Sequence, residues 1–147
     1  LALESGVAAG AEMIIIPENK KKLNDVISDI KKINEEKKSI IIIYAEGCKL
    51  GPLNKVSKKI KNAIPGSNVR YSILGHIQRG GTAVPSDRIL ATVLGNKSIE
   101  NLLNGEKNKM IGLINDKCCL TNFDEIIKNK RGINEELYQI AKTISNY

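Results

Sequence analysis

The sequence predicts an α/β protein built on a parallel sheet that is covered on both faces. Short β-branched runs, "EMIIIPE" at 12–18 and "IIIIY" at 40–44, alternate with segments of ten or more residues that repeat at helical spacing. The runs are apolar at consecutive positions rather than alternate ones, as in strands buried on both faces. The 147 residues, 41% apolar and 27% charged, suffice for one ordinary domain with a core.

Taken in order, "LALESGVAAGAE" reads as the middle of a buried helix, with Leu1, Leu3, Val7 and Ala8 small or apolar. A chain that opens in mid-element, without Met, is expected to be a piece of a longer one. The first strand follows and is closed by Pro17. "NDVISDIKKINEEK" puts Val26, Ile27, Ile30 and Ile33 on one stripe, with Asn24 as the expected N-cap. The second strand is expected over Ile40–Ile43, ending at Glu46-Gly47. "PLNKVSKKIKNAI" carries Leu53, Val56, Ile60 and Ile64 at helical spacing, and Pro65-Gly66 ends it. "NVRYSILGH" alternates and is expected to be a third strand. "VPSDRILATVLGNKSIENLLNG" predicts a long helix with Pro85 in its first turn and Gly105 at its end. "KNKMIGLIND" is a fourth apolar run, expected to lead into polar loop. "NFDEIIKNK" and "NEELYQIAKTI" are expected to be helices, the second capped by Asn134.

The composition excludes several classes. No run approaches the roughly 18 apolar residues of a membrane span, and no basic-then-apolar leader is visible. Cys48, Cys118 and Cys119 have neither metal spacing nor the even count of a disulfide framework, which points to a reducing, cytoplasmic setting. The net charge is +7. That charge suits nucleic acid, an anionic membrane or a phosphorylated small molecule. With 3% aromatics there is no stacking platform, so nucleic acid is not expected as a partner, nor is a membrane. Many lysines, as in "NKVSKKIKN", read as solvated helix faces.

The stretch "LGHIQRGGTA" at 74–83 stands apart. It holds His76, the one histidine of the chain, then Arg79 against Gly80-Gly81, between an expected strand and an expected helix. In an α/β sheet, ligands bind beyond the carboxyl ends of strands. A guanidinium fork suits phosphate, and glycines let the backbone approach closely. These features fit a sugar-phosphate or nucleotide-phosphate site without choosing between them. Glu46 stands at the end of the second strand. Asp87, in the first turn of the long helix, reads as a favourable macrodipole charge rather than a base.

"LGHIQRGGTAVPSDRILATVLG" at 74–95 closely resembles the signature of the 6-phosphofructokinase family. "AAGAEMIIIPE", "IIIIYAEG" and "GLINDK" are similar to other segments of that family. The resemblance implies the C-terminal part only of a parallel-sheet, three-layer α/β/α phosphofructokinase-like fold. It implies fructose 6-phosphate as substrate, bound by His76, Arg79 and Glu46, with Arg70 reaching the 6-phosphate in a neighbouring subunit of a homotetramer. It implies an effector site for ADP or phosphoenolpyruvate at Gly10, Glu12 and Lys37, with Glu12 near the effector's magnesium ion. ATP and Mg2+ serve the complete enzyme. The family's Gly-Gly-Asp-Gly nucleotide segment and its Thr-Ile-Asp-Asn-Asp segment with the catalytic aspartate are absent from this sequence. The implied organisation is a smaller sugar-binding and effector lobe over 1–77, a segment over 78–128 that packs on a larger ATP lobe, and a final helix over 129–147 returning to the smaller lobe. A pyrophosphate-dependent relative, or a non-catalytic phosphosugar-binding module, is the alternative.

Overall fold

A computed structural model describes residues 1–129 and 132–145. The chain divides into two compact units, Leu1–Ser72 with Gly132–Tyr147, and Ile73–Arg131.

The first unit is organised by two parallel strands, β1 (Met13–Ile15) and β2 (Ile42–Tyr44), with Met13 opposite Ile42 and Ile15 opposite Tyr44. Side chains alternate across a strand, so β1 feeds two cores. Met13 and Ile15 pack with Val26, Ile30 and Ile33 of α2 (Leu23–Glu36) and Val56 and Ile60 of α3 (Leu53–Ala63). Ile14 and Ile16 pack on the other face with Leu3 of α1 (Ala2–Ala8) and Tyr138 and Ala141 of α6 (Glu135–Ser145). The result is helix layer, sheet, helix layer. Each fully buried Ile, Val or Met contributes roughly 1.5–3 kcal/mol. Helix α1 lies close because Gly6 has no side chain: a Cβ there would stand 2.6 Å from Ile14 Cδ1.

Local signals account for most boundaries. The helix α6 starts where expected, with Asn134 Oδ1 accepting from the Leu137 N–H at 2.9 Å. Helix α2 begins one residue before Asn24, which lies inside it. Its entry is instead tied by Asp25, whose Oδ2 accepts from the Lys22 N–H at 3.3 Å. The second strand is shorter and later than Ile40–Ile43, because Glu12 occupies the Ile41 N–H.

The expected third strand does not form. Residues 68–75 have no regular structure, and β2 pairs only with β1. A strand needs a partner edge and cover for its apolar side chains. Val69 packs on the core, but Tyr71 is half exposed and Ile73 is 77% exposed.

The second unit holds a 3₁₀ turn (His76–Arg79), α4 (Pro85–Leu103), β3 (Lys109–Ile114), β4 (Lys117–Asn122) and α5 (Phe123–Lys128). The long helix is present with Pro85 at its start, the Asp87 carboxylate accepting from the Val84 N–H at 3.1 Å, and Gly105 at φ +85° just past its end. None of its residues is buried; Ile89 is 65% and Leu103 81% exposed. After β3 comes a second strand, not polar loop. Asn115 and Asp116 both take positive φ, 49° and 60°, the two-residue turn that closes an antiparallel hairpin. The helix expected over 122–130 is seen as Phe123–Lys128, and Lys130 lies outside the described residues.

Candidate functional site

His76 and Arg79 open and close one 3₁₀ turn. In a 3₁₀ helix, positions i and i+3 eclipse, so both side chains leave the same side of the turn. The turn is held by the Gln78 N–H on the Gly75 carbonyl and the Gly80 N–H on the Ile77 carbonyl, both at 3.3 Å, and by the Gln78 amide on the Leu74 carbonyl. Gly80 adopts φ +96°, a backbone that a side chain would strain. His76 and Arg79 are exposed, and neither has an ion-pair partner among the described residues. The turn therefore presents a guanidinium and an imidazole together, free to meet an anion. The sequence places it at a strand end; the residues before it form no regular structure.

Glu46 lies just beyond the carboxyl end of β2, exposed, beside the β1 exit at Pro17. Gly47, at φ +84°, turns the chain there; a Cβ on it would stand 3.5 Å from Pro17 Cγ. The following residues are fastened underneath. Tyr44 donates its hydroxyl to the Gly51 carbonyl at 2.7 Å, and the Cys48 thiol donates to the Ile15 carbonyl at 3.4 Å. Burial pushes the Cys48 thiol up, so it stays protonated and structural. The sequence gives no sign of one further tie at this edge. Asn19 donates to the Tyr138 hydroxyl at 2.5 Å, joining the loop after β1 to α6 across 119 residues.

Glu12 and Lys37 are brought together at the amino end of the same sheet. Glu12 Oε2 accepts from the Ile41 N–H at 2.7 Å, and Oε1 meets Lys37 Nζ at 3.3 Å. The Ile41 N–H, with the Lys37 ammonium, holds the Glu12 carboxyl below the usual carboxylate range despite partial burial. Gly10 turns the chain just before, at φ +64°. From Glu12 to Pro17 the chain runs roughly 16 Å at about 3.3 Å per residue. The Glu12 pair and Glu46 thus sit at opposite ends of one two-stranded sheet.

Arg70, exposed, lines a cavity of about 640 Å³ together with Tyr71, Ile42, Tyr44 and Ile60. Glu46 is not part of its wall. The described residues contain no group of three His, Cys, Asp or Glu side chains placed to hold a metal ion. None of their helices is long and apolar enough to cross a membrane.

The class these features define is an α/β protein with a cationic turn and carboxylates set at the ends of a parallel strand pair. More particularly, the chain belongs to the phosphofructokinase family, whose model matches residues 1–102. It is 40% identical over 146 residues to an ATP-dependent 6-phosphofructokinase of Cytophaga hutchinsonii, covering 99% of this chain and 44% of that protein. It is 38% identical to the ATP-dependent 6-phosphofructokinase of Caldanaerobacter subterraneus, with 99% and 45% covered. Among solved structures it resembles Pichia pastoris phosphofructokinase in the T-state, with TM-score 0.71 and 30% identity, over 99% of this chain and 17% of that one. The chain thus spans a little under half the length of these bacterial relatives.

Proposed function

We propose that this chain is the fructose 6-phosphate-binding, C-terminal part of an ATP-dependent 6-phosphofructokinase. The observation that carries the reading is the pairing of His76 and Arg79 on one exposed 3₁₀ turn inside "LGHIQRGG". In this reading the two side chains take the 6-phosphate of the sugar. Arg79 supplies a bidentate fork, and His76 adds a donor that is strongest when protonated. Glu46, exposed at the strand end, accepts from sugar hydroxyls. Arg70 serves the site of a neighbouring subunit in a homotetramer.

The second ligand of this reading is an effector, ADP or phosphoenolpyruvate, near Gly10, Glu12 and Lys37. Both oxygens of Glu12 are already engaged, one by the Ile41 N–H and one by Lys37. An effector there competes with the Lys37 contact, and Glu12 alone does not make a magnesium cage. The residues of this chain likewise do not fit ATP: a Gly-rich phosphate cradle after a strand is missing from the sequence. Phosphoryl transfer then requires residues outside this chain. A coupled ADP-release assay tests this. The 147-residue chain alone gives no fructose 6-phosphate-dependent turnover, whereas the complete polypeptide does. Turnover by the chain alone overturns the reading. Turnover of the complete polypeptide with pyrophosphate and not ATP replaces the donor and keeps the sugar site.

A further inference from the structure

Between Glu46 and Asp87 the sequence contains no acidic residue, while five lysines and two arginines fall in that interval. Helix α3 concentrates this charge. Its orientation is fixed, because Val56 and Ile60 are buried in the core and Leu53 is packed against it. The remaining surface carries Lys55, Lys58, Lys59 and Lys61 with Asn54 and Asn62, all exposed. None of these lysines has an ion-pair partner among the described residues.

This face is electrostatically unfavourable in the isolated molecule. Lys55–Lys59 is a like-charge pair at i,i+4, and Lys55–Lys58 and Lys58–Lys61 are like-charge pairs at i,i+3, each disfavouring the helix. Lys55 also sits in the first turn, where the macrodipole favours anions, and no acidic residue offsets it. By contrast α4, which has no buried residue, carries Lys97 paired with Glu100 at 2.6 Å. A counter-charge from outside the chain relieves what α3 lacks within it.

We propose that the outward face of α3 is a docking surface for an acidic polypeptide segment. The chemistry of the face selects that class of partner. It holds no exposed large apolar residue, and its apolar side is spent on the core, so it has nothing to insert into a lipid surface. It holds no arginine or aromatic side chain, so it lacks the forks and stacking planes that read nucleic acid. Lysine ammoniums and asparagine amides are donors that carboxylates accept.

The test is fluorescence anisotropy of a labelled oligo-glutamate peptide with the full polypeptide. Binding is expected at about 0.01 M salt and is expected to fall away near 0.15 M, as the Debye length shrinks from about 30 to about 8 Å. The variant K55Q/K58Q/K59Q is expected to bind about tenfold more weakly, as the loss of three exposed charge pairs implies. K55R/K58R/K59R, which keeps the charge, binds like the parent and guards against a folding artefact. K107Q/K117Q/K128Q removes the same charge elsewhere and changes binding less than about twofold. Absence of binding at low salt, or equal loss in the two glutamine variants, overturns the proposal. So does tighter α3-dependent binding to duplex DNA or to phosphatidylserine vesicles than to the peptide.

Discussion

Glu12 offers the sharpest test of how the strand pair is held. Its carboxylate accepts a 2.7 Å hydrogen bond from the Ile41 N–H just before β2, and it meets Lys37 just after α2. The two contacts tie the start of both strands to the end of a helix. A hydrogen bond to a charged group is worth about 1.5–3 kcal/mol. The Ile41 side is 49% exposed, so water can rehydrate a freed N–H, which sets the loss at the lower end. The Lys37 ammonium is half exposed, and such a pair adds about 0.2–1 kcal/mol. Glu12→Ala, which removes both, should therefore cost about 2 kcal/mol. Glu12→Gln, which keeps a carbonyl acceptor and loses the charge, should cost less than about 1 kcal/mol. Urea unfolding followed by circular dichroism measures the costs, and exchange of the Ile41 amide reads the contact locally.

The pH dependence has a definite sign. The folded-state pKa of Glu12 is depressed, by the Ile41 N–H first and then by Lys37. Its stabilisation is therefore fully present above the unfolded value of about 4.3 and is lost as pH falls through the lower folded value. The advantage of the parent over Glu12→Gln should vanish at that acid end, where the neutral acid and the amide are near equivalents. An advantage that persists there, or a Glu12→Ala variant as stable as the parent at pH 7, refutes the reasoning.

Other perturbations have equally direct readouts. Gly6→Ala places a methyl 2.6 Å from Ile14, itself buried, and should destabilise by about 1–3 kcal/mol, partly offset by better helix propensity. In an Ile14→Ala background the same change should become neutral or stabilising in urea unfolding, and additivity of the two would argue against the contact. Tyr138→Phe removes the acceptor for Asn19 beneath the loop after β1 and should lower stability by about 0.5–1.5 kcal/mol in thermal melts. Replacing Asn115-Asp116 by Asn-Gly should hold or raise hairpin stability, because both positions already have positive φ.

Much of the first unit was legible in the sequence because each of its signals is local. The Ile14–Ile16 run has to be buried on both faces, the Val56–Ile60 stripe gives α3 one inward side, and Asn134 caps α6. What was not legible depends on partners distant in the chain. Alternation in "NVRYSILGH" promises a strand, but strand formation needs cover for its apolar side chains, and Tyr71, Ile73 and Leu74 lack it in this chain. The Ile41 N–H that engages Glu12 is a backbone group, invisible to side-chain patterns. The β3–β4 hairpin left a signal in Asn115-Asp116, a pair that tolerates positive φ, but "KCCLTN" is too weakly patterned to announce a strand. In α4 the helical period is present without burial, so periodicity located the helix and not a core. For the candidate site, residue chemistry in "HIQRGG" was readable, whereas the eclipsed placement of His76 and Arg79 required the 3₁₀ turn.

The central claim is that the His76–Arg79 turn binds the phosphate of the sugar. Its most direct test is steady-state kinetics of the complete polypeptide with Arg79→Ala, varying fructose 6-phosphate and ATP in turn. Arg79 is exposed and belongs to neither hydrophobic core, so the fold should survive the change. Loss of a charged hydrogen bond predicts roughly 10- to 100-fold weaker use of fructose 6-phosphate, with the KM for ATP unchanged. Equal loss toward both substrates, or none toward the sugar phosphate, would contradict the assignment.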